Sequence, residues 1–304
     1  MRRVRQLLRK RSLRAAEQSL VVEGAELLST ALLAGAPIES VFVAPEGRSS
    51  PAVAGLLDDV FATGVRIFDL APGVIGRMTD TVTPQPVVAV VGYAPAHLED
   101  VQQASMVVVC VDVRDPGNVG TMIRTADAAG VDAVVCCDGT VDPTNPKTVR
   151  ASAGSIFHTP VVAGGQASVA INRLRGWGMT TVGAGVRGGA DYASVDWKRR
   201  VALVVGNESS GLTPPVSGGL DEIISIPMAG RAESLNVSVA AAVICFEARR
   251  QRRGAGARPD LPGAGGTSGV PPAGGPPGPT MPGMDGGPVV PPHPMGGSGA
   301  EGGR

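Results

Sequence analysis

Apolar runs that alternate with amphipathic stretches between residues 105 and 250 constrain the fold of this chain more than any other feature. Residues 106–113 form a continuous apolar run, as in a parallel strand that is covered on both faces. Residues 119–129 follow with helical spacing. Repeats of this unit predict a mostly parallel sheet with helices on both faces. Ligands of such sheets bind beyond the C-terminal ends of the strands.

The same alternation continues along the chain and also occurs, on a smaller scale, ahead of residue 95. In the C-terminal region we predict further strands at residues 133–137, 161–162, 180–184, 201–205 and 223–226, with helices at 147–157, 167–174 and 235–250. In the N-terminal region we predict strands at residues 19–22, 40–43, 65–68 and 87–92, with helices at 25–34, 52–62 and 74–79. Residues 93–99 form the predicted linker.

The last 51 residues differ from the rest of the chain in composition. Between residues 254 and 304, 29 residues are Gly or Pro and only five are charged. This stretch has too little apolar surface to offset the entropy cost of ordering it, so we predict a disordered tail. The chain therefore divides into a small α/β domain at residues 1–95, a larger α/β domain at 105–253 and the tail at 254–304.

Composition also indicates where the protein works and what it lacks. No apolar run approaches the roughly 20 residues that cross a bilayer, and the first 14 residues, seven of them basic, contain no apolar core of a signal peptide. The cysteines lie in apolar runs without CxxC spacing, which favours buried thiols over a metal site or a disulfide; they are Cys110, Cys136, Cys137 and Cys245. We expect a cytoplasmic protein with no membrane contact and no metal.

Three loops rich in Gly, Asn and short polar residues each follow a predicted strand. Their sequences are RDPGNVG at residues 114–120, GNESSGL at 206–212 and PMAGRAESLNVS at 227–238. Each alone is also ordinary turn and helix-capping chemistry, but three at the C-terminal ends of strands indicate one ligand site. None matches GxGxxG followed by an acidic residue about 20 positions later, and none matches GxxxxGK[ST]. Hydride transfer and phosphoryl transfer therefore lose their main support.

The spacing of these loops resembles a known family. NVGTMIRTA at 118–126, LVVGNESSGL at 203–212 and IPMAGRAESLNVSVAAAV at 226–243 resemble, in this order, the three signature motifs of the SpoU/TrmH family. That family comprises AdoMet-dependent RNA ribose 2′-O-methyltransferases of the knotted SPOUT class. The likeness covers residues 106–250 and implies an α/β fold with a knotted, mostly parallel sheet. The N-terminal region resembles, in its α/β order, the small RNA-binding domain that many members carry ahead of this sheet.

The resemblance also implies a cofactor site for AdoMet. The family's motif positions correspond to Gly206, Ile226 and Leu235 as contacts, with Asn207, Met228 and Asn236 beside them. A glycine at position 206 lets the chain pass close to a ligand, and backbone groups of the loops can hydrogen-bond an adenine edge. The two aliphatic side chains supply apolar walls.

The first motif places Arg124 where the family has its central catalytic residue. The reaction aligns a ribose 2′-hydroxyl with the methyl group of AdoMet and removes the hydroxyl proton as attack proceeds. A guanidinium stays protonated at neutral pH and is therefore a poor proton acceptor. We therefore expect Arg124 to position phosphate and stabilise the developing alkoxide, while the proton leaves through substrate phosphate, water or a hydroxyl. Ser234 and Asn236 are the local candidates for orienting the ribose.

Three further residues are expected near Arg124. Glu208 in the second motif should pair with Arg124 and fix its orientation. Asn118 either caps the helix that carries Arg124 or touches RNA. Arg150 lies in the stretch RASAGSIF, which resembles a family segment near the active site, and it either meets phosphate or is a surface arginine.

Structured RNA is the expected partner, and basic residues indicate where it binds. The helical stretch at residues 1–14 and the cluster Arg249, Arg250, Arg252 and Arg253 are two positive surfaces on a chain whose formal net charge is zero. Ribosomal RNA, 23S in particular, is favoured over tRNA because family members with an added N-terminal domain often act on rRNA. The remaining alternative is an inactive RNA-binding or ribosome-assembly protein. Family members are usually homodimers through the knotted domain, and we expect the same here.

Overall fold

Two separate β-sheets, each flanked by helices, make up the part of the chain that the structure describes. The structure is a computed structural model that describes residues 1–79, 81, 83–185 and 188–253. Both sheets belong to one compact unit. The predicted tail at residues 254–304 lies outside the described residues.

The first sheet has four strands, which are β1 (Ser19–Glu23), β2 (Ile38–Val43), β3 (Arg66–Asp69) and β4 (Val87–Gly92). Their order is β1-β4-β2-β3, with β2 and β3 parallel and the other two pairings antiparallel. The accompanying helices are α1 (Arg2–Arg9), α2 (Arg11–Glu17), α3 (Ala25–Leu33), α4 (Pro45–Arg48), α5 (Pro51–Ala62) and α6 (Val74–Met78). We call this part the four-stranded unit.

Strand β1 is buried along its whole length because both faces of this sheet are covered. Side chains of a strand alternate between its two faces. Leu20 and Val22 pack into the cluster that contains the apolar residues of α3 and α5, whereas Val21 packs with residues of α1 and α6. Each fully buried Val or Leu stabilises the fold by roughly 1.5–3 kcal/mol relative to an exposed one.

The second sheet has seven parallel strands, which are β5 (Met106–Cys110), β6 (Ala133–Cys136), β7 (Val161–Ala163), β8 (Thr180–Ala184), β9 (Ala190–Asp191), β10 (Val201–Val205) and β11 (Glu222–Ser225). Their order is β7-β6-β5-β10-β8-β11-β9. The accompanying helices are α7 (Pro116–Ala129), α8 (Pro146–Ala151), α9 (Ala167–Gly176), α10 (Pro214–Ser217) and α11 (Val237–Arg253). We call this part the seven-stranded unit.

The prediction of a mostly parallel sheet covered on both faces is confirmed. Val108 packs with residues of α7 and α11 on one face, while Val107 and Val109 pack with residues of α9 on the other. Strand β10 lies between β5 and β8, so the chain returns to the middle of the sheet before β11 is added between β8 and β9. Helix α11 then packs against α7.

Two helical stretches differ from their predicted extents. The basic stretch at residues 1–14 breaks into α1 and α2 because Lys10 has an extended backbone, with φ −112° and ψ 106°. The predicted helix at residues 147–157 ends at Ala151, since Ala153 and Gly154 have φ values of +49° and +91°. A Cβ on Gly154 would lie 2.5 Å from Cγ2 of Thr30, so contact with α3 requires glycine there. Helices α4 and α10 and strand β9 are too short to leave a periodic pattern.

Arg14 does not contribute to a positive surface, so the prediction for residues 1–14 is wrong at this position. Its side chain is only 4% exposed and spans the two units. Nη2 donates to Oδ2 of Asp142 at 2.5 Å, Nε to Oγ1 of Thr144 at 3.1 Å, and Nη1 to the Leu7 carbonyl at 2.7 Å. A buried guanidinium requires such partners for all of its nitrogens.

Arg150 makes a second link between the units. Its Nη1 lies 3.3 Å from Oε2 of Glu23, a buried carboxylate of β1. Arg150 is thus an exposed arginine that forms an ion pair within the protein, and contact with phosphate stays a prediction. We call the Arg14–Asp142 and Arg150–Glu23 contacts together the seam.

The predicted C-terminal arginine cluster is also partly structural. Arg252 donates to the carbonyls of Trp197, Ser105 and Arg199 at 2.7–3.1 Å, and burial lowers the pKa of its guanidinium. Arg250 pairs with Glu247 one turn earlier on α11, at 2.7 Å. The prediction that the whole cluster faces RNA is therefore wrong for Arg252.

Two further properties concern the described residues. All four cysteines are free and buried, which confirms their predicted state. None of the described helices combines the length and apolar character needed to cross a membrane.

Candidate active site

The three polar loops leave the seven-stranded sheet at the same edge, because the strands that they follow are parallel neighbours or next neighbours. Loop A (residues 111–115) connects β5 to α7, loop B (residues 206–213) connects β10 to α10, and loop C (residues 226–236) connects β11 to α11. The fold thus brings the three stretches of polar sequence together, although up to about 120 residues separate them along the chain.

Loops B and C enclose a cleft at the C-terminal edge of the seven-stranded sheet. Five of the six predicted cofactor contacts line it, namely Gly206, Asn207, Ile226, Met228 and Leu235. Two of the predicted catalytic residues, Glu208 and Ser234, line it as well. Asn118, Arg124 and Asn236 are not among the described residues that line the cleft.

Gly206 allows loop B to fold back tightly on itself. A Cβ at this position would lie 2.4 Å from the carbonyl carbon of Gly211 and 2.6 Å from the amide nitrogen of Leu212. Asn207 and Gly211 exchange two backbone hydrogen bonds, at 3.1 and 2.9 Å, which close the loop. The glycine at position 206 therefore permits a close contact within loop B itself.

The side chain of Asn207 holds loop B to loop A. Its Nδ2 donates to the carbonyl oxygen of Asp112 at 2.9 Å, and its Oδ1 accepts from the backbone amides of Ser209 and Ser210 at 2.9 and 3.1 Å. Asp112 has φ +56°, a left-handed conformation that is uncommon for a residue other than glycine. Asn207 therefore stabilises an unusual turn as well as lining the cleft.

A chain of hydrogen bonds joins all three motifs. Nδ2 of Asn118 donates to Oε1 of Glu208 at 3.0 Å, and Oδ1 of Asn118 accepts from Nδ2 of Asn236 at 3.0 Å. Oδ1 of Asn236 in turn accepts from the amide and hydroxyl of Ser238 at 2.9 and 2.7 Å, at the start of α11. Asn118 thus lies at the centre of the junction, with both ends of its amide engaged.

Glu208 is held in its charged form by this junction. Partial burial raises the pKa of its carboxyl group, but hydrogen bonds from Asn118 and from backbone amides, including that of Asp115 at 3.2 Å, outweigh burial and lower it. A carboxylate with a lowered pKa is a weak proton acceptor at neutral pH. The geometry favours a positioning role for Glu208 over a general-base role.

Two expected contacts are wrong. Glu208 does not pair with Arg124; its carboxylate is occupied by Asn118 and the amide of Asp115. Asn118 does not cap α7, because Asp115 is the cap and accepts from the Asn118 amide at 2.8 Å. Asn118 has its backbone satisfied by that cap, which leaves its side chain to join the loops.

Arg124 lies on the outer surface of α7, two turns beyond Asn118. Its guanidinium is exposed and makes no hydrogen bond or ion pair with any residue that the structure describes. Gly120, one turn earlier, faces α8: a Cβ there would lie 2.5 Å from Cβ of Ala151 and 2.6 Å from the Thr148 carbonyl. The close packing of α7 on α8 fixes the helix that carries this free cation.

Comparison with known proteins follows the two units. A family model described as the SpoU rRNA Methylase family matches residues 105–246, and one described as an MRM3-like substrate binding domain matches residues 1–89. The chain is 36% identical over 238 residues to the 23S rRNA (guanosine(2553)-2′-O)-methyltransferase RlmP of Bacillus subtilis, which is 78% of this chain and 90% of that protein. The chain belongs to the SpoU rRNA methylase family. An uncharacterized tRNA/rRNA methyltransferase of Synechocystis is 31% identical over 80% of this chain and 88% of its own length.

Solved structures of SpoU-type enzymes have the same architecture. An AdoMet-bound rRNA methyltransferase from Sinorhizobium meliloti is 33% identical, with a TM-score of 0.72 over 82% of this chain and 93% of that one. The SpoU methyltransferase AviRb from Streptomyces viridochromogenes, in complex with AdoMet, is 29% identical, with a TM-score of 0.73 over 83% and 98%. Coverage above 80% includes both sheets, so the expected fold, an SPOUT-type α/β unit after a small α/β unit, is confirmed.

Three residues of this SpoU site were not predicted from the sequence, namely Asp112, Asp115 and Ser238. Asp115 stands immediately before Pro116 and Gly117, and a helix cap followed by Pro is a recognisable signal. Ser238 follows Asn236 by two residues, the spacing at which a side-chain oxygen caps a helix. The left-handed backbone of Asp112 has no such local signal.

Among residues 1–79, 81, 83–185 and 188–253, no group of three or more His, Cys, Asp and Glu side chains could hold a metal ion.

Proposed function

We propose that this chain transfers a methyl group from AdoMet to a ribose 2′-hydroxyl of 23S rRNA in the cytoplasm. The observation that carries the proposal is the hydrogen-bonded junction of three family motifs beside one cleft, in a chain that is 36% identical to a protein named as a 23S rRNA 2′-O-methyltransferase. The AdoMet complexes of two structures with TM-scores of 0.72 and 0.73 support the choice of cofactor.

The lining of the cleft between loops B and C suits the chemistry of AdoMet. Ile226 and Leu235 offer apolar walls, and Ser234 offers a hydroxyl group. The backbone groups of residues 227–232 make no hydrogen bond to another described residue, so they are free to pair with an adenine edge. AdoMet, when bound, supplies an electrophilic methyl group. Gly206, Asn207, Ile226, Met228 and Leu235 are our proposed contacts, and Asn236 supports them from outside the cleft.

We propose Arg124 as the catalytic residue that contacts the RNA substrate. Its guanidinium is free of protein partners among the described residues and is therefore available to a phosphate. A planar guanidinium binds phosphate through two parallel hydrogen bonds, which fixes the orientation of the attached ribose. Its positive charge also stabilises the negative charge that develops on the 2′-oxygen as the proton leaves. A guanidinium stays protonated at neutral pH and therefore cannot accept that proton.

The other assigned residues divide between substrate contact and support. Ser234 lines the cleft and is exposed, so its hydroxyl is our candidate for orienting the ribose. Asn236 is engaged by Asn118 and Ser238, which makes it a positioning residue for loop C. Glu208 and Asn118 are likewise positioning residues, and they hold loop A next to loop B.

Helix α11 carries the proposed homodimer interface. Val239 and Phe246 are seven residues apart, which places them on one helix face, and their exposed fractions are 47% and 48%. Leu235, at the end of loop C, is 37% exposed next to this face. An apolar stripe of this kind is typical of a surface that another chain covers. Phe246→Asp should convert a dimer into a monomer in analytical ultracentrifugation, while the same change at Phe61 of α5, which is 71% exposed, should leave it dimeric.

Methyl transfer to purified RNAs tests the proposed function. The chain is incubated with methyl-labelled AdoMet and with unmodified 23S rRNA, small-subunit rRNA or bulk tRNA, and the labelled nucleotide is mapped by nuclease digestion. We expect label in 23S rRNA at a single ribose whose 3′ phosphodiester resists alkaline cleavage, because a 2′-O-methyl group blocks attack by that oxygen. Label confined to tRNA would overturn the choice of substrate, and label on a base would overturn the reaction.

A further inference from the structure

Two unpartnered cations flank the seam. Arg11, at the start of α2, and Lys147, in the first turn of α8, are exposed, and neither side chain contacts a charged or polar partner among the described residues. Their neighbours Arg14 and Arg150 are instead held by Asp142 and Glu23. The seam thus pairs its own charges internally, whereas Arg11 and Lys147 beside it face solvent.

The seam lies at the sheet edge that carries the candidate active site. The segment between β6 and α8 is bonded to loop A: the Val141 amide donates to the Val113 carbonyl at 2.9 Å, and the hydroxyl of Thr140 donates to the Cys110 carbonyl at 2.9 Å. Asp142 is the next residue in this segment. Because Arg14 binds Asp142, the four-stranded unit is attached beside loop A and not at the opposite edge.

Both cations are placed by short chains of contacts. Arg11 is one turn before Arg14 on α2, and Lys147 is five residues after Asp142, with its amide bonded to the capping Asn145 at 2.9 Å. The Arg14–Asp142 pair is buried and therefore fixes the positions of α2 and of the segment that leads into α8.

The path from the seam to Arg124 runs along α8 and α7. Thr148, the residue after Lys147, is in close contact with Gly120 of α7. Arg124 is one turn beyond Gly120, and residues four apart lie on the same helix face. The three exposed cations Arg11, Lys147 and Arg124 thus lie on α2, α8 and α7, which the Arg14–Asp142 pair and the contact at Gly120 connect.

We propose that the sugar-phosphate backbone of the substrate RNA crosses the seam, with its phosphates contacting Arg11 and Lys147 on the way to Arg124. This inference rests on the proposed function and adds the surface by which the two units hold one RNA. A chain with zero net charge has no general attraction for RNA, so binding depends on cations without internal partners. The fixed spacing across the seam further favours a folded RNA over a flexible strand.

A pair of matched double variants tests the surface. Arg11→Gln with Lys147→Gln removes one Arg from the four-stranded unit and one Lys from the seven-stranded unit. Arg66→Gln with Lys198→Gln removes the same charges from the same two units: Arg66 lies on the edge strand β3, and Lys198 precedes β10 at the opposite sheet edge. All four side chains are exposed, and none has a hydrogen-bond or ion-pair partner in the described parts of the chain.

Binding of unmodified 23S rRNA transcript is measured by titration at several salt concentrations, separately from methyl transfer. We expect the seam double variant to bind about tenfold more weakly at 0.1 M salt. Its plot of log affinity against log salt should be shallower by about 1.5, since each lost phosphate contact removes roughly 0.7–0.9 from the slope. The control double variant should stay within about twofold of wild type and keep its slope.

Charge-preserving and cofactor controls make the result decisive. Arg11→Lys with Lys147→Arg should keep wild-type affinity and slope, and AdoMet affinity should be the same in all variants. Equal losses in the seam and control doubles, or no loss in the seam double, would overturn the proposed surface. Since binding is read without catalysis, a wild-type chain that binds RNA but transfers no methyl group would count against the proposed function and leave this test intact.

Discussion

The cleft and the seam are both joined by polar side chains, yet they differ in burial and charge. At the cleft, neutral amides and the exposed carboxylate of Glu208 connect loops that remain open to solvent. At the seam, a guanidinium that is 4% exposed meets a carboxylate that is 12% exposed. The open, mostly neutral cleft is therefore suited to bind ligands, and the buried ion pair of the seam is suited to hold the two units together. Substitutions at the cleft should change ligand binding and the rate of methyl transfer, and substitutions at the seam should change the free energy of unfolding.

At the candidate active site, Arg124→Ala should produce the largest loss of methyl transfer. We expect methyl transfer to fall at least about a thousandfold, which is about 4 kcal/mol of transition-state stabilisation, because phosphate orientation and charge stabilisation are lost together. AdoMet affinity in calorimetry and the melting temperature should stay at wild-type values, since the side chain is exposed and outside the cleft lining. Arg124→Lys keeps the charge without the fork and should recover only part of the rate. Unchanged turnover in Arg124→Ala would remove this residue from the mechanism.

Arg14→Met should produce the largest effect on stability. It leaves Asp142 largely buried without its partner, for which a loss of about 3–5 kcal/mol in the free energy of unfolding is expected. Arg3→Met is the control, because Arg3 also forms ion pairs, with Glu17 and Glu39, but is 44% exposed. Its loss should be at most about 1 kcal/mol. Urea unfolding measures both, and similar losses would show that the seam is no more rigid than an ordinary surface pair.

Glu208→Gln should give the smallest effect and a defined pH dependence. The pKa of Glu208 is lowered in the folded state, so its carboxylate stabilises the fold above the unfolded pKa, about 4.3, and this stabilisation disappears as the pH falls through the lower folded value. Because Glu208 is exposed and screened by solvent, the wild type should exceed the variant by less than about 1 kcal/mol at pH 7. Urea unfolding across pH 3–7 should show the two stabilities converging at the acid end. A difference that grows toward low pH would contradict the proposed state of Glu208.

Local patterns in the sequence account for most of the fold and for the identity of the cleft. Val107 to Val109 predict a doubly covered strand because burial of both faces leaves a continuous apolar run. Gly206 and Ile226 could be assigned to a cofactor site because each belongs to a motif whose residues are adjacent in sequence. In both cases the signal lies within about ten consecutive residues.

Contacts between distant single residues could not be predicted in the same way. Nothing near Arg14 distinguishes it from the six other basic residues of the first 14, and its partner Asp142 is 128 positions away. Glu208 was assigned to Arg124 by charge alone, whereas backbone geometry brings it to Asn118 and Asp115. Likewise, the break after α8 depends on contact between Gly154 and Thr30 of the other unit. A local pattern predicts several equally good partners for such a residue, and packing between distant parts of the chain decides which one it contacts.

Titration calorimetry of AdoMet into the full chain tests the central claim, that loops B and C form the cofactor site, most directly. Wild type is compared with Gly206→Ala, whose Cβ would meet the backbone of Gly211 and Leu212, and with Gly230→Ala in loop C, whose Cβ would meet nothing within 4 Å. Melting temperatures verify that each variant is folded. We predict one AdoMet bound per wild-type chain, the same affinity in Gly230→Ala, and binding weakened at least about tenfold in folded Gly206→Ala. Wild type without measurable binding, or folded Gly206→Ala with wild-type affinity, would contradict the account.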